Sequence, residues 1–213
     1  MTQDRLSRIG PVSGVAYAVL ELGGFAVAGA GGSAMVTLSD PAAKIVNAFA
    51  RPVGTGVWIG AYMELASLAA FAVFAAWLFG SRRGPLATAG LITAGVYIAV
   101  TVVSLVIGDV LEYRAGHCIG AQQTLALFDL QVGLYTATWG IAAAFLALAP
   151  VTGWLRRSAL AIAALSLIGM AVPTADPGQF ATVLFIAWIL ATGLIAARRP
   201  SALASATPAT AHA

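Results

Sequence analysis

The sequence predicts an all-α membrane protein, a bundle of six transmembrane helices with one short extracytoplasmic surface helix. Three observations carry that prediction. Of the 213 residues, 60% are hydrophobic and 9% are Asp, Glu, Lys or Arg, whereas a soluble domain averages about 25% charged residues. Six apolar runs, near 12–36, 53–79, 85–111, 120–148, 153–172 and 178–197, each approach the roughly 20 residues a helix needs to cross about 30 Å of hydrocarbon. Basic residues, finally, alternate from one inter-span segment to the next. The unbroken apolar length of each run selects helix over strand, because barrel strands alternate in segments of about ten residues.

The elements follow in order. Asp4, Arg5 and Arg8 precede the first run, which lacks a convincing cleavage site and reads as a retained span. After it, Ser39-Asp40-Pro41 reads as an N-cap with Pro at N1. A short helix over 42–50 is expected next, with Ile45, Val46 and Phe49 on one side and Lys44 and Asn47 elsewhere. Such a helix lies on the membrane surface or folds over the bundle as a lid, and Pro52 stops it. Arg82 and Arg83 join spans two and three, Arg156 and Arg157 follow span four, and Arg198 and Arg199 end span six. With Arg5 and Arg8 these make eight basic residues on one side, against Lys44, Arg51 and Arg114, three, on the other. That asymmetry places both termini in the cytoplasm. One membrane domain over 1–199 is expected, with a disordered tail of Ala, Ser, Thr and Pro over 200–213.

Composition also excludes several functions. The low charge leaves no basic face for nucleic acid. A single cysteine, Cys118, permits no intrachain disulfide and no CxxC centre. Of the two histidines one, His212, lies in the tail, so a haem held by two histidines is excluded. The one lysine, Lys44, lies in a loop, which excludes a retinal Schiff base. No GxSxG, HExxH or GxxxxGK[ST] motif is present. No cofactor and no metal are predicted.

The informative residues are carboxylates at mid-membrane depth: Glu21 in span one, Glu64 in span two and Asp129 in span four. Each lies roughly 13–17 Å into its span at 1.5 Å per residue. An ionisable side chain there costs about 2.5–3.5 kcal/mol, so it should face the bundle interior and find a partner. No Lys, Arg or His shares that depth, so the three acids are expected to donate hydrogen bonds, carry protons or attract a cationic ligand. Helical spacing puts Gly14, Tyr17, Glu21, Gly24 and Ala28 on one stripe, and Gly60, Glu64, Ser67 and Phe71 on another, with Tyr62 and Trp58 nearby. Span four offers two polar faces: Gln122, Asp129, Gly133, Thr136 and Gly140, and separately Gln131, Tyr135 and Thr138. Candidate proton-carrying or ligand-binding residues are therefore Glu21, Glu64, Asp129, Tyr17, Tyr62, Gln131 and Tyr135. The competing structural reading is that the acids are hydrogen-bonding glue between helices packed through small residues. Near the end of span three, Asp109 and Glu112 share a face, and local pairing with Arg114 is expected; with His117 and Cys118 they match no metal-binding spacing.

Several segments resemble a known family. Arg8-Ile9-Gly10-Pro11-Val12-Ser13-Gly14-Val15, Asp40-Pro41-Ala42-Ala43-Lys44-Ile45-Val46-Asn47, the acidic second span around Glu64, the polar fourth span and Gly153-Trp154-Leu155 resemble bacterial, largely actinobacterial, integral membrane proteins known as domain of unknown function 4386. The likeness runs over nearly the whole chain and implies a bacterial cell membrane, but the family supplies no activity to carry over. Tyr62-Met63-Glu64, with Asp129 later, is similar in kind to membrane-integral terpene cyclases. That likeness implies Glu64 as proton donor, Asp129 orienting it, and Tyr17, Trp58, Tyr62, Phe71, Tyr135 and Trp139 stabilising a carbocation through their faces. Three functions stay open: a small-molecule transporter or binding protein with a midplane acidic site, a membrane enzyme on an isoprenoid or other lipophilic substrate, and an accessory membrane protein. The expected partners are the lipid bilayer and a lipophilic or cationic small molecule, and the bundle is compatible with a homodimer.

Overall fold

The described residues of the computed structural model, 3–34, 36–80, 82–115, 117, 119–172 and 177–198, form seven helices. In chain order these are α1 Gln3–Ala30, α2 Ala42–Ala48, α3 Thr55–Gly80, α4 Pro85–Arg114, α5 Ala121–Leu148, α6 Gly153–Ala171 and α7 Pro177–Arg198. All but α2 are long and apolar enough to cross a membrane; the chain is a polytopic helical membrane protein. Cys118 and the tail over 200–213 lie outside the described residues.

Successive spanning helices are neighbours, joined by short connections except between α1 and α3, where the chain includes α2. α1 packs on α3, α3 on α4, α4 on α5, α5 on α6, α6 on α7, and α7 returns to α1. The six therefore close into a ring. One end, the basic end, carries Gln3, Arg198, the α3–α4 connection with Arg82 and Arg83, and the start of α6 with Arg156 and Arg157. The opposite end carries α2.

The most extensive contact is between α1 and α3, and glycine makes it. A Cβ on Gly60 would stand 2.7 Å from the Gly24 carbonyl oxygen, and one on Gly31 2.5 Å from the Val57 nitrogen. The two backbones touch directly, which only side chains of minimal size allow. Nearer the basic end, Gly10 seats Trp77 and Gly14 seats Phe74. The same seam moves the expected boundary of the first span. α1 ends at Ala30, not near 36, because Gly31 packs on Gly54 and Gly56 of the chain entering α3 and Gly32 turns the chain at φ +86°.

The ring interior is filled by aromatic rings on the side of the basic end. Phe71 of α3, fully buried, meets Tyr17 of α1, Tyr97 of α4 and Phe145 of α5 at centroid distances of 5.3, 5.1 and 5.1 Å, with Phe185 of α7 at 6.1 Å. These tilted pairs are in the favourable range for aromatic contacts. Phe79 and Leu146 continue the plug, and the Trp188 indole donates to the Leu155 carbonyl at 3.0 Å. Below the plug Arg156 donates to the carbonyls of Leu146, Ala147 and Ala149 at the end of α5, a cation where the helix needs one.

At the other end α2 differs from expectation in its cap. Pro41 occupies the N-cap position instead of Asp40. The Asp40 carboxylate accepts from Lys44 Nζ at 2.6 Å and from the Thr37 amide at 2.9 Å, and these bonds hold it below the ordinary carboxylate range. Of the two placements predicted for α2, it takes the fold over the bundle: Ile45 and Phe49 bury against Leu111, Ala115 and Phe128.

The seam yields a paired test. Gly60→Ala forces Cβ into backbone and should destabilise the protein by about 1–3 kcal/mol. Gly95, beside which nothing lies within 4 Å, should accept alanine neutrally or gain up to about 1 kcal/mol of helix propensity. Denaturant unfolding of the detergent-solubilised variants measures both.

Candidate functional site

On the α2 side of the aromatic plug a carboxyl and several hydroxyls enter the interior. Glu21, one turn beyond Tyr17 on α1, is 7% exposed. It meets Ser67 of α3, which is fully buried, through a hydrogen bond between Ser67 Oγ and Glu21 Oε2. The same hydroxyl donates to the Glu64 carbonyl oxygen at 2.7 Å. A serine has one O–H and two lone pairs, so a proton on Glu21 completes both bonds, Glu21 donating to Ser67 and Ser67 to Glu64. Turned the other way, Ser67 donates to an ionised Glu21.

Beside Glu21 lies a cavity with about 20 Å³ for the centres of water-sized molecules, room for one such group. Its wall comes from five helices: Glu21 of α1; Tyr97 and Thr101 of α4; Tyr135, Thr138 and Trp139 of α5; Ser166 of α6; Thr182 and Phe185 of α7. The Tyr135 hydroxyl donates to Thr182 Oγ1 at 3.3 Å. The Trp139 ring is seated in a slot between α6 and α7: a Cβ on Gly178 would fall 2.1 Å from it and one on Gly169 3.3 Å. Its Nε1–H approaches the Tyr135 hydroxyl without reaching hydrogen-bond geometry and has no other partner among the described residues. The titratable neighbours that act on Glu21 or feel its charge are Tyr17 on its own helix, Glu64 on α3, Tyr97 on α4 and Tyr135 on α5. None is basic.

The structure sorts the sequence candidates by position. Glu21 and Tyr135 line the cavity, and Tyr17 is buried immediately behind it, next to Tyr97. Glu64 packs on Gly24 and joins Glu21 through Ser67. Gln131 lies nearer the α2 end, its amide against Gly108 of α4 and its carbonyl accepting from Ser104 at 3.1 Å. Tyr17, Glu64 and Gln131 do not line the cavity, and two further candidates turn away from the interior altogether. Tyr62 is 73% exposed on the bundle periphery, and Asp129 is exposed on the outward face of α5. Of the two polar faces of α5, the one carrying Gln131, Tyr135 and Thr138 turns inward, because it also carries Phe128, Trp139, Phe145 and Leu146, whose bulk fills the ring. The Asp129 face offers Gly133 and Ala137, too small for that task.

Tyr97, Thr101, Ser166, Thr182 and Phe185 join the site without having been singled out from the sequence. Their helices bear no charge at that depth, and a Ser or Thr bonded to its own helix looks alike in sequence whether it faces lipid or cavity. The predicted local ion pair of Arg114 does not form: Arg114 is exposed, and the ion pair among the described residues is Asp40–Lys44. Glu112 instead accepts from Ser33 Oγ at 2.7 Å, tying α4 to the α1–α2 connection. Trp58 is half-buried against Tyr113, away from the cavity.

No family model matches the chain, and no curated protein or solved structure matches it.

The Ser67 bridge is directly testable. Ser67→Ala strips a buried carboxyl of its partner and should cost about 1–3 kcal/mol. Glu21→Gln, whose amide still donates to Ser67, should cost less than Glu21→Ala. Unfolding midpoints of the three variants in detergent give the order.

Proposed function

We propose that this chain is a small-molecule transporter or binding protein of a bacterial cell membrane, with both termini cytoplasmic, in which Glu21 holds a proton or a cationic ligand. The observation that supports it best is a buried mid-membrane carboxyl on the wall of a cavity that several hydroxyls also line, with no basic neighbour acting on it. A carboxyl that served only as glue between α1 and α3 would need Ser67 and nothing more. Here it also borders a space ringed by hydroxyls from four other helices. Ser67 supports the exchange of charge state, since its single hydroxyl satisfies the neutral acid in one orientation and the carboxylate in the other. Intramembrane carboxyls with these surroundings are the usual carriers in proton and ion pathways.

Orientation rests on the arginines: with Arg8, Arg82, Arg83, Arg156, Arg157 and Arg198 at the basic end, the positive-inside rule makes that end cytoplasmic. The Phe71, Phe145 and Phe185 layer then lies between the cavity and the cytoplasm. Passage of a ligand requires that layer to part, and binding does not.

An enzyme acting on an isoprenoid draws on the aromatic wall of the same cavity, where the acid in place is Glu21. A cavity of this volume would have to open by helix separation to admit such a substrate.

Thermal stability of the detergent-purified protein, wild type against Glu21→Gln, over about pH 5 to 9 with lipophilic cations and isoprenoids, separates the readings. The expected result is a cation-dependent and pH-dependent rise in Tm that Glu21→Gln abolishes. Stabilisation by isoprenoids alone transfers the site to an enzyme. Indifference to every ligand and to Glu21→Gln leaves the acid as helix glue and ends the proposal.

A further inference from the structure

We infer that the Glu21 cavity is built for a primary ammonium group, the head of a small amine, in preference to a quaternary ammonium or an alkali-metal ion. The inference deepens the cationic-ligand reading above and rests on it.

Four of the hydroxyls on the wall are already committed as donors. Thr101 gives its hydrogen to the Tyr97 carbonyl at 2.8 Å, Thr138 to the Tyr135 carbonyl at 2.6 Å, Ser166 to the Ile162 carbonyl at 2.9 Å, and Thr182 to the Gly178 carbonyl at 3.1 Å. Each hydroxyl has one hydrogen and two lone pairs, so what these four retain for the cavity is acceptor capacity. Thr182 spends part of its own on Tyr135. Together with the Glu21 carboxyl they set oxygen acceptors from five helices into a wall that is otherwise largely aromatic and aliphatic and that also carries the Trp139 Nε1–H. A primary ammonium presents three N–H donors and a positive charge, the complement of those acceptors. A quaternary ammonium presents none.

Size points the same way. Space for one water-sized group accommodates –NH3⁺, whereas a trimethylammonium head requires several times the volume. Tyr97 and Phe185 supply aromatic surface, which favours an organic cation over a metal ion held by oxygen alone.

The test is binding of methylammonium, tetramethylammonium and sodium chlorides, at matched ionic strength, to the full-length protein in detergent, followed by Tm and calorimetry. Methylammonium should raise Tm saturably and the other two should not. Thr138→Val and Ser166→Ala, which remove one acceptor each while changing little volume, should each weaken methylammonium roughly tenfold. Thr88→Val, which removes a hydroxyl bonded in the same way to Gly84 but far from the cavity, should leave it unchanged. Glu21→Gln should abolish binding; should that variant not fold, the two acceptor variants carry the test. Equal stabilisation by tetramethylammonium, or stabilisation by sodium in place of methylammonium, overturns the inference. If larger cations bind in a Glu21-dependent way and methylammonium does not, the inference fails while the cationic site stands. Binding of no cation at all overturns both.

Discussion

The close approach of α1 and α3 is the contact on which the rest of the bundle depends. In hydrocarbon a polar group has no water to turn to, and Glu21 must therefore be satisfied by protein. Ser67 reaches it because glycines on both helices remove the side chains that would hold the backbones apart: Gly24 and Gly60 bring α1 against α3 beside the acid, and Gly31 and Gly56 continue the seam toward the α2 end. Glu64 shares this arrangement, its side chain laid on Gly24 and its carbonyl taking the Ser67 hydrogen. Steric economy and electrostatic necessity here act at one place. A single added methyl group at Gly60 would press on the backbone that positions the carboxyl.

From that seam the ring divides along its axis into two kinds of interior. Toward the basic end, large rings from α1, α3, α4, α5 and α7 converge on Phe71 and exclude space. One layer nearer the α2 end hydroxyls and one carboxyl join the aromatic and aliphatic groups of the wall, and a small void remains. Its hydroxyls are held in fixed rotamers by bonds to their own helices, and Trp139 is locked between two glycines. Groups restrained in this way lose little further freedom when they bind a ligand.

The elements of the fold were legible because the bilayer imposes a strong and simple rule. Six apolar runs of sufficient length and arginines at every second connection leave little choice of architecture, and the small-residue stripes Gly14 to Ala28 and Gly60 to Phe71 foretold which faces of α1 and α3 meet. The site was legible in part. Glu21 was found because a carboxyl at mid-membrane depth is costly unless it is used, and Tyr135 because it shares a helix face with Gln131 and Thr138. Tyr97, Thr101, Ser166 and Thr182 were not, because hydroxyls bonded to their own helix carry no such penalty and phenols are ordinary packing residues.

Asp129 and α5 show the limit most clearly. Depth alone ranked Asp129 with Glu21 and Glu64, and helical spacing gave α5 two polar faces of equal standing. Which one turns inward is a question of volume: the ring needed Phe128, Trp139, Phe145 and Leu146 to fill it, and Gln131, Tyr135 and Thr138 came with them. Amino-acid order by itself determined the spanning segments, their alternation and the depth of every charge, since each follows from transfer between water and hydrocarbon one residue at a time. Tertiary structure alone decided which helix faces enclose the cavity and which acid borders it, because that outcome depends on how the side chains of six helices fill one common space.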